Sequence, residues 1–156
     1  MNPKDETSIR KAVKGLFAKQ RLACLATSVS EKPHTSLVAF VATDDLKTIL
    51  FATTKSSRKY AYLKANGRVS MLIDDRTNHV TDFKEATAIT VIGRAKELDE
   101  HGKNTCLKLY TEQHPHLREF AESEQSSLFG VEVETYRVVT RFQQVDELRM
   151  KRGARD

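Results

Sequence analysis

Two runs of β-branched and aromatic residues stand close together in the first third of the sequence and restrict the folds open to it. Residues 35–43 read TSLVAFVAT and residues 47–54 read KTILFATT, with only a polar three-residue turn between them. Such residues favour strands, and so short a connection joins strands as an antiparallel hairpin. The regular alternation of strand and helix that builds parallel sheets is not the pattern of this chain.

The remaining segments complete a mainly β pattern. Further strands are predicted at residues 21–28, 68–74, 86–98, 128–137 and 138–145. The first of these is so continuously apolar that it predicts burial on both faces. Helices are predicted at residues 5–19, 56–66, 99–112 and 115–122. Gly93 inside a long strand predicts a bulge or bend, so we expect a mainly antiparallel β-barrel with peripheral helices.

Length and charge favour one globular unit. The 156 residues are 39% hydrophobic and 30% charged, outside the range of disordered chains. We expect a single domain over residues 1–148 and a flexible basic tail over 149–156. That tail holds four basic residues against one acidic residue, three of the five net positive charges. The charge of the rest of the chain is nearly balanced, so we do not expect nucleic acid as a partner.

The sequence has no run long enough to cross a membrane, and residues 1–11 lack the apolar segment of a signal peptide. We therefore expect a cytoplasmic protein with no membrane partner. Cys24 and Cys106 lie far apart without metal-binding spacing. They are predicted to be small buried thiols, and no metal site is expected.

The junction at residues 51–59 (FATTKSSRK) is the segment most suggestive of ligand binding. A strand ends there in hydroxyl and cationic residues as a helix begins. The N–H groups and dipole of a first helical turn, with the side chains of Ser56, Ser57, Arg58 and Lys59, suit a phosphate. The alternative is a solvated helix start, because adjacent Arg and Lys residues point in different directions.

The order of these segments resembles the pyridoxamine 5′-phosphate oxidase-like family of FMN-binding split barrels. The resemblance covers residues 21 to about 98, and about two-thirds of the chain with the closing strands. The most specific parts are PHTSLVAF, TILFATT, the triplet Ser57-Arg58-Lys59, LKAN followed by RVS, and VIGRA.

The resemblance implies an antiparallel split barrel that forms a homodimer, with two FMN molecules at the dimer interface. It also implies roles for particular residues. The phosphate ligands would be Ser57, Arg58 and Lys59; backbone groups of Ser36, Leu37 and Val38 would line the flavin; Ala52 and Thr53 would lie beside its ring or ribityl chain.

Three departures from the family pattern limit what the resemblance implies about activity. A family arginine in the first hairpin strand corresponds to Ser36 or the nearby His34, and a family glutamine corresponds to Ala88. The C-terminal motif that grips pyridoxal phosphate has no match in residues 146–156. Oxidation of vitamin B6 is therefore not expected. Related subfamilies use the same barrel for deazaflavins or haem, so these stay open as alternatives to FMN.

Two other clusters are candidate ligand sites. In the polar loop at residues 74–79, Arg76 and Asn78 have donors that suit a flavin or its phosphate across a dimer interface, although a hydrophilic turn is the alternative. His114 and His116, with His101 nearby, suggest a metal or haem ligand. The simpler expectation is a solvated pair, because Pro115 is a typical first residue of a helix.

The chain lacks nucleophile-elbow, P-loop and dinucleotide-binding motifs, so no catalytic side chain is assigned. The leading hypothesis is an FMN-dependent oxidoreductase whose cofactor exchanges electrons with a small-molecule donor or acceptor. A second hypothesis is a haem-binding or haem-degrading barrel with His79, His114 or His116 as axial ligand. A third is a non-enzymatic barrel that binds phosphate or nucleic acid.

Overall fold

The computed structural model describes residues 4–151, which form seven strands and five α-helices. The strands are β1 (Leu22–Val29), β2 (Lys32–Ala42), β3 (Thr48–Thr54), β4 (Arg68–Asp74), β5 (Ala88–Glu97), β6 (Ser126–Thr140) and β7 (Gln144–Arg149). The helices are α1 (Glu6–Lys19), α2 (Arg58–Ala65), α3 (Asp82–Glu85), α4 (Glu100–Gln113) and α5 (Arg118–Glu122), with a 3₁₀ turn at Pro115–Leu117.

Six of the strands close into an antiparallel barrel, as the sequence predicts. Their order is β3-β2-β1-β4-β5-β6, and pairing of β3 with β6 completes the circle, while β7 extends the sheet beyond β6. The predicted irregularity at Gly93 is confirmed, because the register of β5 against β6 shifts between Ile92 and Gly93. A Cβ atom at Gly93 would clash with the carbonyl oxygen of Glu132, so only glycine fits there.

The barrel interior is filled by side chains at alternate strand positions. One row crosses four strands through Leu25, Met71, Val91 and Tyr136, all of them fully buried. Helix α1 packs its apolar stripe against this core. The buried residues of that stripe are Ile9, Val13, Leu16 and Phe17. The barrel is therefore a packed core and not a channel.

Strand β1 is buried on one face only, so the prediction of burial on both faces is wrong. Its inward side chains are buried, whereas Leu22 is 53% exposed. Cys24 also faces outward and pairs laterally with Leu37 of β2, which is 66% exposed, and with Leu72 of β4, which is 37% exposed. We call Leu22, Cys24, Leu37 and Leu72 the leucine face. Its apolar outward residues concealed the two-residue alternation in the sequence.

Two further predictions need correction. The segments predicted as separate strands at 128–137 and 138–145 are mostly one strand, β6, because no turn residue interrupts the chain at position 138. Helix α3 falls in a segment expected to be a loop. The two cysteines are unpaired, as expected, but each is partly exposed and not buried.

Strand β7 ends at Arg149, and Met150 packs against the core. The predicted flexible tail thus begins within described structure, and its last five residues, 152–156, lie outside the described residues. Among residues 4–151, no helix combines the length and apolar character needed to cross a bilayer.

Candidate functional site

The edges of β2 and β3 separate along part of their length. They pair only through residues 40–42 and 49–51. From Ala39 back to Lys32, β2 is paired with β1 and no longer with β3. In the same region β3 continues along β6 as far as Thr54. We define the β2–β3 cleft as residues 32–39 of β2, residues 52–54 of β3 and residues 55–59 at the start of α2. It contains eight of the predicted cofactor residues.

Ser57 caps helix α2 and connects it to the end of β3. Its hydroxyl accepts a hydrogen bond from the Tyr60 N–H at 3.1 Å and donates one to the Thr54 carbonyl at 2.9 Å. The hydroxyl oxygen of Thr53 lies 2.9 Å from the hydroxyl oxygen of Ser57. These contacts fix the first turn of α2 beside the cleft. The Ser57 side chain therefore positions the helix start rather than projecting freely toward a ligand.

Three cations stand at this helix start without an acidic partner. Among the described residues, Lys55, Arg58 and Lys59 form no ion pair, and Arg58 is exposed. Helix N-termini ordinarily favour acidic residues, and none occurs in the first turn of α2. The start of α2 therefore combines a favourable dipole with uncompensated positive charge, which is the electrostatics of an anion site.

The β2 side of the cleft carries buried polar atoms that lack partners. The hydroxyl oxygen of Ser36 is inaccessible to solvent and has no hydrogen bond, and the same holds for Nδ1 of His34. Val38 follows on the same face and is buried. The Leu37 side chain points to the opposite, outer face, so only its backbone is on the cleft side. Unsatisfied buried polar atoms are rare and costly, which makes a ligand one explanation of these two.

Ala52 and Thr53 lie on opposite faces of β3. Thr53 is 2% exposed and joins the Ser57 cap, whereas Ala52 packs in a second apolar cluster with Tyr110 of α4. The predicted residues of β3 thus form a wall of the cleft with little free surface. Thr53 is the one of the pair that carries a polar group near the helix start.

A carboxylate anchors the other side of α2. Glu97, the last residue of β5, accepts a hydrogen bond from the Ser127 hydroxyl at 2.6 Å and lies 3.4 Å from the Lys64 ammonium. Burial favours the neutral form of Glu97, but the hydrogen bonds from Ser127 and Tyr60 outweigh it and lower its pKa. Glu97 was not among the residues predicted from the sequence, because only the pairing of distant strands in the barrel brings β5 and β6 beneath α2.

Arg76 and Asn78 lie away from the His34 end of the cleft of their own chain. They follow β4, which leaves the barrel near the Leu22 end of β1, whereas His34 pairs with Thr27. Five residues of strand, about 16 Å, separate those positions along β1. Arg76 is paired with Asp74 at 3.0 Å, and Asn78 has a positive φ of 61°. The structure therefore does not bring this pair together with Arg58.

Asp82 organises the loop that holds Asn78. Its carboxylate accepts hydrogen bonds from the backbone N–H groups of Thr77, Asn78 and His79 at 2.8–3.2 Å. The bond from Thr77 is the largest of the effects that together lower the pKa of Asp82. The density of polar residues in this loop thus has a structural explanation within one chain.

His114 is buried, so the prediction of a solvated histidine pair is wrong for it. It is 1% exposed, and its Nε2 lies 2.7 Å from the Phe40 carbonyl oxygen. One turn earlier, the Tyr110 hydroxyl donates to the Ala39 carbonyl at 3.2 Å, and burial raises the pKa of Tyr110 to about 12. The spacing of four residues places both side chains on one face of α4, a signal the sequence contained.

The other histidines do not assemble into a recognisable ligand set. His116 is exposed, with its ring centroid 6.2 Å from that of His114. Within residues 4–151, no group of three or more histidine, cysteine, aspartate or glutamate side chains converges as metal ligands do. The exposed histidines His79 and His116 are therefore single groups on the surface.

Comparison with known families decides the relationship. The family model for pyridoxamine 5′-phosphate oxidase matches residues 9–142, which is most of the chain and includes the whole β2–β3 cleft. The chain belongs to the pyridoxamine 5′-phosphate oxidase family. The resemblance found in the hairpin and in the Ser57-Arg58-Lys59 triplet is thus confirmed, as is the split-barrel fold.

Solved structures with the same fold include proteins named for different ligands. The haem-binding protein from Mycobacterium smegmatis superposes with a TM-score of 0.79 at 14% identity over 96% of this chain, which spans 59% of that protein. An FAD-binding protein from Mesorhizobium loti gives 0.67 at 17% identity over 88% of this chain and 95% of that one. The haem storage protein HutZ from Vibrio cholerae gives 0.67 at 18% identity, covering 80% and 89%.

These TM-scores demonstrate a shared fold. They leave the ligand open, since proteins named for flavin and for haem both occur among the matches. No curated protein sequence matches the chain. The choice of cofactor must therefore come from the chemistry of the cleft.

Proposed function

We propose that this family member binds FMN in the β2–β3 cleft and acts as an oxidoreductase through it. The observation that carries the proposal is the start of α2, where three cations without acidic partners meet a helix N-terminus. The unpartnered Ser36 hydroxyl lies on β2, the strand that forms the other side of the cleft. A phosphate would compensate the positive charge and would offer the Ser36 hydroxyl a hydrogen-bond acceptor.

Different residues of the cleft would contact different parts of such a cofactor. Arg58 and Lys59 would bind the phosphate with charge-assisted hydrogen bonds, and Ser57 would keep the helix start in place. The β2 backbone at residues 36–38 would line the ring. When bound, a flavin supplies hydride or electron transfer. The protein's part is to orient it, and no side chain is assigned as a general acid or base.

A homodimer is part of the proposal, with a second copy of the chain on the leucine face. Leu22, Leu37 and Leu72 form an exposed apolar patch across β2, β1 and β4. Such contiguous patches are typical of interaction surfaces. Leu37 lies on the strand that borders the cleft, so this interface would adjoin the cofactor. Arg76 and Asn78, remote from their own chain's cleft, would then act at the partner's.

Haem and deazaflavin are the alternatives, because haem-binding proteins share the fold. Haem requires an axial ligand, and of the three histidines considered from the sequence, only His79 and His116 are exposed. His79 lies in the loop before α3 and His116 in the 3₁₀ turn, so neither belongs to an element that borders the β2–β3 cleft. The cations at α2 suit a phosphate monoester at least as well as propionates, so FMN remains the function best supported by the cleft.

The proposal is tested by the double variant Arg58→Ala/Lys59→Ala. Each charge-assisted hydrogen bond contributes about 1.5–3 kcal/mol, so FMN affinity should fall by about a hundredfold or more. Titration of FMN fluorescence measures the affinity, and thermal unfolding confirms an intact fold. The matched control, Lys11→Ala/Arg118→Ala, removes two exposed cations elsewhere and should leave affinity unchanged. Equal FMN affinity in the two double variants would refute the assignment.

A further inference from the structure

His34 and Ser36 form a pair of buried polar groups on the inner side of β2. They are two residues apart, so both side chains point to the same face of the strand. Nδ1 of His34 and Oγ of Ser36 are each shielded from solvent without a hydrogen-bond partner. Leaving such groups unsatisfied destabilises the folded chain. Two of them side by side indicate a binding surface that is incomplete without a ligand.

The surroundings of the His34 ring contain cations and neutral groups. On β1, its neighbour is Thr27, a neutral residue that is 3% exposed and donates its hydroxyl to the His34 carbonyl. On α2, Tyr62 lies with its ring centroid 5.7 Å from that of His34. Arg58 is one helical turn before Tyr62, on the same face of the helix.

The nearby hairpin turn adds Lys32 on β2 and Glu31, both exposed. In the described part of the chain, no carboxylate makes a hydrogen bond or an ion pair with the His34 ring. The ring therefore has no carboxylate counter-ion among the described residues.

We infer that His34 binds the anionic group of the cleft ligand together with Ser36, and that the affinity of the cleft rises as the imidazole gains its second proton. The inference rests on the proposed function, since it takes the ligand to carry a phosphate-like anion. It adds a regulation of that site: the cleft would hold its ligand more tightly in mildly acidic conditions. Protonated imidazole has an N–H at Nδ1, the atom that is now without a partner.

The size of the pH effect on affinity follows from the linkage between proton binding and anion binding at His34. Anion binding raises the pKa of His34, and each unit of increase corresponds to a tenfold gain in affinity for the protonated form. Arg58 and Lys59 keep their charge across the range in which histidine titrates. They therefore contribute a constant affinity, and the pH-dependent part belongs to His34.

Sulfate is the appropriate probe, because it keeps both negative charges while a phosphate monoester titrates near pH 6. Sulfate affinity is measured by calorimetry between about pH 5.5 and about pH 8, spanning the histidine titration. NMR of the His34 ring gives its pKa with and without sulfate. The variants are His34→Gln and Ser36→Ala, with His116→Gln as an exposed histidine control. FMN titrations at the same two pH values accompany them.

We expect the native chain and His116→Gln to bind sulfate about tenfold more tightly at the lower pH, for an increase of about one unit in the pKa of His34. Sulfate should raise the His34 pKa, His34→Gln should bind with little pH dependence, and Ser36→Ala should bind more weakly while keeping that dependence. If FMN and sulfate bind but the His34 pKa does not move, the inference is overturned and the proposed function stands. If neither binds at any pH, the proposed function fails as well.

Discussion

Two helices, α4 and α2, lie near strand β2 where it separates from β3. The polar groups of β2 are hydrogen-bonded beside α4 but lack partners beside α2. Helix α4 brings Tyr110 and His114 onto the carbonyl oxygens of Ala39 and Phe40, with no charged side chain in the contact. At the cleft, by contrast, the Ser36 hydroxyl is buried without a partner, and the cations at the start of α2 have no acidic neighbours. Polar groups that bond within the chain stabilise the fold, whereas polar groups left over are available to a ligand.

The contrast is not complete, because Nδ1 of His114 is also without a partner. That atom lies beside Tyr110 of the second apolar cluster, and His114 forms no ion pair among the described residues. One ring nitrogen of His114 is bonded at 2.7 Å, and the side chain is 1% exposed. A histidine side chain that is buried, hydrogen-bonded within the chain and outside any described ion pair serves a structural role. Four substitutions test the distinction, beginning with the one expected to cost the most stability.

His114→Ala should produce the largest loss of stability. It removes the bond to the Phe40 carbonyl and leaves a cavity under α4, for a cost of about 2–4 kcal/mol in the free energy of unfolding. Chemical denaturation measures the loss. FMN affinity of the folded fraction should stay within about twofold of the native value, because the ring is outside the cleft. A variant of native stability with lost FMN binding would reverse the roles assigned to the two regions.

Tyr110→Phe isolates one hydrogen bond of the same contact. The ring still fills its place, but the buried Ala39 carbonyl loses the hydroxyl donor, so unfolding should become easier by about 1–2 kcal/mol. The same denaturation experiment applies. An unchanged midpoint would show that the carbonyl of Ala39 does not depend on α4.

Ser36→Ala should act in the opposite sense on stability. Removing a buried hydroxyl that has no partner should leave the free energy of unfolding unchanged or raise it by up to about 1 kcal/mol. FMN affinity should fall, because the hydroxyl would no longer meet the ligand. Denaturation without ligand and FMN titration separate the two effects. A loss of stability without ligand would indicate that Ser36 is an ordinary structural residue.

The smallest effect is expected at Asp82, in the loop remote from the cleft. Its pKa is lowered in the fold, so the stability it provides is present above its unfolded pKa and is lost as pH falls through the folded pKa. Asp82→Asn should therefore lower stability at neutral pH and narrow the difference between neutral and acid conditions. Thermal melting as a function of pH checks this, and parallel curves for the two proteins would contradict it.

Much of the fold is predictable from local sequence, because the three longer helices, α1, α2 and α4, each begin at a capping side chain. Asp5 accepts a hydrogen bond from the Ser8 N–H at the start of α1, as its position suggests. The errors occur where distant segments decide the outcome. Burial of His114 depends on α4 packing against β2, and exposure of Leu22 depends on which face of β1 the barrel encloses.

The candidate site divides in the same way. Ser57, Arg58 and Lys59 are consecutive, so a helix start and its charges can be predicted together. The unpartnered atoms of His34 and Ser36 could not be, because their isolation results from the separation of β2 from β3. Glu97 likewise reaches Lys64 and Ser127 only through barrel closure.

The central claim is that the β2–β3 cleft binds FMN, and the visible absorption spectrum of the purified protein tests it most directly. Spectra are recorded before and after separate titrations with FMN and with haem. We expect flavin bands and quenched flavin fluorescence that saturate at one equivalent per chain. A Soret band from tight haem uptake, with no change on adding FMN, would contradict it.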